Sequence, residues 1–328
     1  MRKSITIATL VSLTASMSLA YPVLAQSGTQ ESQSVTSFQA QTSYDESRAS
    51  QITLADQTAT VTGQGASFSD QTLTITQGGT YVLTGSGKNI KLVVEAADTD
   101  QVHLVFQNLT LEGEGTLLRI NKAQEVVISL AEGSQNTLTE SQASDDEKVK
   151  ATIHSQVPLT LNGTGNLTLT ALTKNALEVE DDLKVLGGTY TVKGYKNALS
   201  ANDALNIKDA TLNLTATEDA LHADNDEDTT LGNLYIQSGT ITINAGDDGM
   251  HASNAAVIDG GTITVESSVE ALEGTNVTIN GGKLDLSASD DGINASSMVT
   301  GAEIFIKITG GDIKVEVGQG DTDALDSN

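Results

Sequence analysis

Three short stretches of this 328-residue chain place carboxylates where they could hold a metal ion: Asp247-Asp248-Gly249-Met250-His251, Glu270-Ala271-Leu272-Glu273 and Asp290-Asp291-Gly292-Ile293-Asn294. Each gives a carboxylate, a small residue, a large aliphatic residue and then a polar side chain. Asp248, Glu270 and Asp291 mark the copies and stand 22 and 21 residues apart; Asp219, Asn197 and Asn175 continue the series backwards and Asp323 continues it forwards. Oxygen donors of this kind, with no cysteine anywhere in the chain, favour calcium over zinc or copper.

A repeat of about 22 residues is the mark of a stacked architecture, and its content decides which kind. Nine residues before successive markers stand Gly188, Ala210, Gly239, Gly261 and Gly282, each at an expected turn. Around them apolar and polar residues alternate, as in Leu234 and Ile236 followed by Ile241 and Ile243. Period two with glycine punctuation reads as short strands with one buried face. The expectation is an all-β right-handed parallel β-helix, a solenoid with rungs of about 22 residues. Leu177, Leu199, Leu221, Met250, Leu272, Ile293 and Leu325 should point inwards, each preceded by Ala or Gly because the turn is tight.

Stacking brings the markers to about 4.8 Å from one another. Like charges at that spacing repel by about 3 to 4 kcal/mol at an effective dielectric near 20, so the column calls for protons or cations. Calcium is expected between rungs, held by Asp219, Asp247, Asp248, Glu270, Asp290, Asp291 and Asp323, with Glu273, Asn294 and Asp326 three residues after their markers. Asn175 and Asn197 are neutral and read as a structural ladder. His222 and His251 lie three residues after consecutive markers and should be neighbours, but two histidines without a third fixed ligand are weak evidence for zinc; polar surface residues beside the calcium turns is the better reading. Residues 224–228 open like an EF-hand loop, yet Thr229 replaces its glycine and Tyr235 its closing glutamate.

From the start, Arg2 and Lys3 followed by an apolar run read as a secretory signal peptide over residues 1–25, cleaved after Ala25. Residues 26–50 are rich in Ser, Gln and Thr and read as a disordered spacer. Residues 51–156 should form the cap and irregular coils, and residues 157–328 the regular rungs. Asn328 follows directly on a marker turn, so the array is expected to be cut short. The reading is of a monomer, secreted or held at the cell surface, with no membrane insertion after the leader is removed. Residues 203–328 carry 23 Asp and Glu against 4 Lys and no Arg, and the whole chain carries a net charge of −26; nucleic acid is excluded as a partner because phosphate binding needs clustered Lys and Arg.

Asp247-Asp248 and Asp290-Asp291 look like the paired-Asp turn of polygalacturonases, but that family's other motifs are missing. Pectate lyases use an Arg base, and no Arg follows Arg119. The turns GDDGMHA, VEALEG and SDDGINA, with GGTITV and INGGKLDL between them, resemble a family of secreted bacterial carbohydrate-binding domains over about residues 50–328. That resemblance implies a calcium-binding right-handed parallel β-helix associated with acidic polysaccharides such as polygalacturonate, with metal roles for Asp248, Glu270, Glu273 and Asp291. The expected function is therefore non-catalytic, calcium-dependent binding of acidic polysaccharide. The alternatives are a structural adhesin stiffened by calcium and a divergent polysaccharide lyase or hydrolase.

Overall fold

The computed structural model describes residues 3–8, 43–320 and 322–327. The described residues form strands and turns without helix, and the strands join in a mostly parallel sheet. No helix among them is long and apolar enough to cross a membrane. The expected cleavage site after Ala25 and residues 26–42 of the spacer lie outside the described residues, whereas residues 45–48 form a turn and Ser50 already opens a strand.

Three columns of parallel strands run through the regular part. The first holds Asn175–Val179, Leu199–Ala201 and Leu221–Ala223, then the starts of Met250–Ile258 and Leu272–Ile279, then Ile293–Ala295 and Leu325–Ser327. The second includes Ala204–Lys208 and Asn233–Ile236, the third Ala210–Thr215, Gly239–Asn244 and Thr262–Ser267. Partners step along the chain as the marker spacing requires: Leu177 pairs with Leu199 and Leu199 with Leu221, while the insertions after Asp224 and after Ala295 lengthen the steps from Leu221 to Met250 and from Ile293 to Leu325.

Alternation along each strand sends one set of side chains into a shared core. Leu177, Leu199, Leu221, Met250, Leu272 and Ile293 are all buried, each contributing about 1.5 to 3 kcal/mol relative to exposure. Leu325, expected to join them, is 38% exposed on the last described strand of its column. The small residue before each has a packing reason rather than a conformational one. A Cβ on Gly292 would meet Val315 Cγ1 at 2.1 Å, and one on Gly249 would meet Ala271 O at 2.7 Å, while neither backbone is left-handed. The turn glycines differ: Gly239 has φ of 124°, where a side chain is strained.

The N-terminal part departs from uniform parallel coils. Ser50–Asp56 pairs antiparallel with Thr58–Thr62, and Ala66–Ser69 pairs antiparallel with Thr72–Ile75. Each pair also feeds the parallel pattern, Ser50–Asp56 lying parallel to Gly79–Lys88 and Thr72–Ile75 parallel to Lys91–Glu95. Lys3–Ala8 also lies antiparallel, against Asp312–Val317 of the third column.

Candidate functional site

The marker side chains sit where the chain enters the first column, and their first task is to satisfy backbone. The N–H of Asn197 donates to Asn175 Oδ1 at 3.1 Å, that of Asp219 to Asn197 Oδ1 at 3.0 Å, and that of Asp248 to Asp219 Oδ1 at 2.9 Å. The N–H of Glu270 donates to Asp248 Oδ1 at 3.3 Å, and that of Asp323 to Asp291 Oδ1 at 2.7 Å. Each step satisfies a backbone N–H that would be costly to leave unpaired. The step from Glu270 to Asp291 is missing. Glutamate is one methylene longer, and both Glu270 oxygens instead accept from Asn294 Nδ2, at 3.0 and 3.1 Å.

Three residues after each marker, a second polar column runs in register: Glu178, Ser200, His222, His251, Glu273, Asn294 and Asp326. Here the two histidines are more than surface residues. Their rings stack with centroids 5.1 Å apart and 16° between planes. His222 Nδ1 lies 2.7 Å from Asp219 Oδ2, and His251 Nδ1 lies 2.7 Å from Glu273 Oε2 and 3.4 Å from Asp248 Oδ2. Burial works against a charged His251 ring, but its bonds to Asp248 and Glu273 outweigh it and raise the pKa. The same bond holds the Glu273 carboxyl below its usual range.

The remaining charge is not balanced. Burial first, then the Asp219 and Glu273 charges, push Asp248 up despite its bond with His251. Burial and the Asp219, Glu218 and Glu273 carboxylates raise Asp247. Glu270 is pushed up to about 7 by burial, reinforced by Glu273, Asp248 and Asp291 and opposed by Asn294. The like-charge column thus finds part of its relief in protons.

Asp219, Asp247 and Asp248 bring one oxygen each within 4.8 Å of one another, and Asp248, His251 and Glu273 do the same with a ring nitrogen and two oxygens. Asp247 is exposed. The three-membered clusters among the described residues do not include Glu270, Asp290, Asp291, Asp323 or Asp326. Asp291 is raised by burial and by Asp290, Asp326 and Asp323. Asn294 is buried, with its Oδ1 unpartnered.

Two clusters escaped the sequence reading. His154 Nε2 and Lys150 Nζ meet Glu180 Oε1 at 3.0 and 2.7 Å, beside Glu178. Asp181, Asp182 and Asp203 converge at the far end of the first-column strands, where Asp203 Oδ1 accepts from Asn225 Nδ2 at 3.1 Å. Burial and then Asp182 raise the half-buried Tyr235. The repeated acidic and amide residues at 181–182 and 202–203, just before Leu183 and Ala204, were the available signal.

The family profile described as carbohydrate-binding domain-containing protein matches residues 69–324. A carbohydrate-binding domain-containing protein of Acetivibrio thermocellus is 31% identical over 135 residues, 39% of this chain and 47% of that protein. The match thus spans about half the length of that relative. A solved structure described as the polysaccharide lyase-like protein from C. thermocellum, a gadolinium derivative, aligns with a TM-score of 0.67 at 24% identity, over 83% of this chain and 100% of that one. At that identity the likeness concerns the fold.

Proposed function

This chain belongs to the carbohydrate-binding domain-containing protein family, and on that premise we propose that it is a non-catalytic, calcium-dependent binder of acidic polysaccharide. One observation carries the reading. Asn175 and Asn197 accept the next rung's N–H as well as Asp219 and Asp248 do, so the negative charge of the later markers is surplus to the fold. That surplus is concentrated where Asp247 adds a third carboxylate beside Asp219 and Asp248. Three hard oxygen donors fit calcium, which takes six to eight oxygens, and leave positions for water and for a sugar carboxylate.

When bound, calcium supplies the positive charge that lets a strongly acidic chain approach a polyuronate. The protein's own groups orient the donors: the backbone N–H bonds fix one oxygen of Asp219 and of Asp248, and the imidazoles hold the other. Asp290, Asp291, Asp323 and Asp326, with Glu270 and Asn294, would serve a further ion at the later rungs. In this reading the three columns close into a right-handed parallel β-helix, and the protein works outside the cell after losing residues 1–25.

The test is a thermal melt of the purified chain in EDTA and in millimolar calcium, each with and without polygalacturonate. Calcium at a hundred times its dissociation constant should add about 2.7 kcal/mol, and polygalacturonate should add more only when calcium is present. Asp248→Asn keeps the backbone acceptor and should lose most of the calcium response; a full response in that variant, or none in the native chain, overturns the reading. The polysaccharide lyase-like neighbour favours a second reading, cleavage of the polymer, which release of unsaturated uronate ends by the purified chain would establish.

A further inference from the structure

The residue just before each marker changes character along the molecule. Lys174, Lys196, Glu218, Asp247, Val269 and Asp290 stand in one column, tied by backbone bonds from Lys196 N to Lys174 O at 3.0 Å, Glu218 N to Lys196 O at 3.4 Å, Asp247 N to Glu218 O at 3.3 Å, Val269 N to Asp247 O at 2.7 Å and Asp290 N to Val269 O at 3.0 Å. The sign therefore reverses in a single step of about 4.8 Å, between Lys196 and Glu218. Both lysines accompany a neutral marker, and the acidic residues accompany Asp219, Asp248 and Asp291.

The lysines at this end are not all occupied. Lys196 pairs with Glu218 at 2.7 Å, and Lys150 is held by Glu180 and Glu178. Among the described residues no carboxylate lies within ion-pair distance of Lys174, which is half-buried, or of Lys193, which is exposed. Between Lys193 and Lys196 stands Tyr195, 55% exposed and the one aromatic ring that the described residues leave open to solvent.

Its backbone is fixed. Gly194 N donates to Thr215 O at 2.9 Å and Thr217 Oγ1 donates to Tyr195 O. The turn is so tight that a Cβ on Gly194 would lie 2.1 Å from Asn197 O. An exposed aromatic ring on a fixed backbone, with the unpaired Lys193 two residues before it and Lys174 bonded through its carbonyl to Lys196 N just after it, is suited to a ring that carries a carboxylate, the face taking the sugar's apolar side and the ammonium its charge.

We propose that the turn formed by Lys174, Lys193, Tyr195 and Lys196 is a subsite that takes one carboxylated sugar of an acidic polysaccharide directly, without a cation, beside the calcium-dependent stretch. The inference rests on the polysaccharide-binding function proposed above. One chain of polymer lying along the columns would meet ammonium groups at the early rungs and bridging cations at the later ones.

The experiment is isothermal titration of the full chain with a galacturonate hexasaccharide in saturating calcium, comparing the native sequence with Lys174→Gln/Lys193→Gln, with Tyr195→Ala and with Lys174→Arg/Lys193→Arg. The glutamine and alanine variants should bind about five- to tenfold more weakly, with unchanged calcium titration and melting temperature, and the arginine variant should retain affinity. The fully methyl-esterified hexasaccharide should bind the native chain and the glutamine variant alike. Equal affinity for the acidic hexasaccharide in the native chain and the glutamine variant overturns this subsite and leaves the calcium-dependent function standing. Absence of binding by the native chain in calcium overturns both.

Discussion

The rungs marked by Asn175 and Asn197 and those marked by Asp219 and Asp248 perform the same backbone task with different chemistry. In both, a side-chain Oδ1 one rung earlier receives the next marker's N–H, at 2.9 to 3.3 Å. In the first pair the neighbours are lysines and the markers carry no charge; in the second they are Glu218 and Asp247 beside charged markers, and protons or imidazoles supply part of the balance. The comparison separates what folding needs, an acceptor oxygen at a fixed height, from what folding merely tolerates, a surplus of negative charge. A costly surplus retained where a neutral residue would serve points to binding.

The sharpest way to break the comparison is to remove the shared acceptor. Asn197→Leu leaves the buried Asp219 N–H unpaired and should lower stability by about 1 to 3 kcal/mol in denaturant unfolding. Asn197→Asp should keep that stability in high salt while adding a carboxylate next to Asp219. If both variants unfold alike, the ladder is incidental.

Protonation gives the next effect. The folded-state pKa of Glu270 is about 7 against 4.5 for the free group, so the native state binds more protons in that interval. Stability without metal should therefore be greatest below about pH 4.5 as far as this group is concerned, and fall as pH rises through about 7. Glu270→Gln should remove that fall, visible as a flatter curve of melting temperature against pH in EDTA. The Asn rungs offer no such group, so a variant there, Asn175→Ser, should leave the slope intact.

The smallest effect belongs to the boundary. Lys196 and Glu218 are both more than 40% exposed in their 2.7 Å ion pair, and Lys196→Ala should cost less than about 1 kcal/mol. A larger loss would mean that the sign reversal itself holds the two halves together.

Much of this was written in the chain because the architecture repeats. The marker interval anticipated the pairing of Leu177 with Leu199 and of Leu199 with Leu221, and the alternation anticipated the buried column from Leu177 to Ile293. The carboxylates that converge, Asp219, Asp247 and Asp248, were visible as neighbours in that repeat. What escaped was anything depending on side-chain length or on which oxygen is already engaged. Glu270 breaks the ladder by one methylene, His251 joins Glu273 across a rung, and the antiparallel pairs at 50–75 do not follow the repeat at all. That asparagine could replace aspartate in the marker column was the clue that the column is first a set of acceptors.

The insertion after Asp224 has a further use. Asp224 N departs from the carbonyl of Ala201 at 3.1 Å, and both Gly232 and Asn233 return their N–H groups to the carbonyl of Asp203, at 2.8 and 3.1 Å, so the excursion leaves and rejoins the columns within three residues of the preceding strand turn. Ala204 still pairs with Asn233 as though the intervening residues were absent. For protein engineering this makes residues 226–231 a cloning port: a foreign peptide could be displayed there, a short distance from the acidic face, without disturbing the order of the strands on either side.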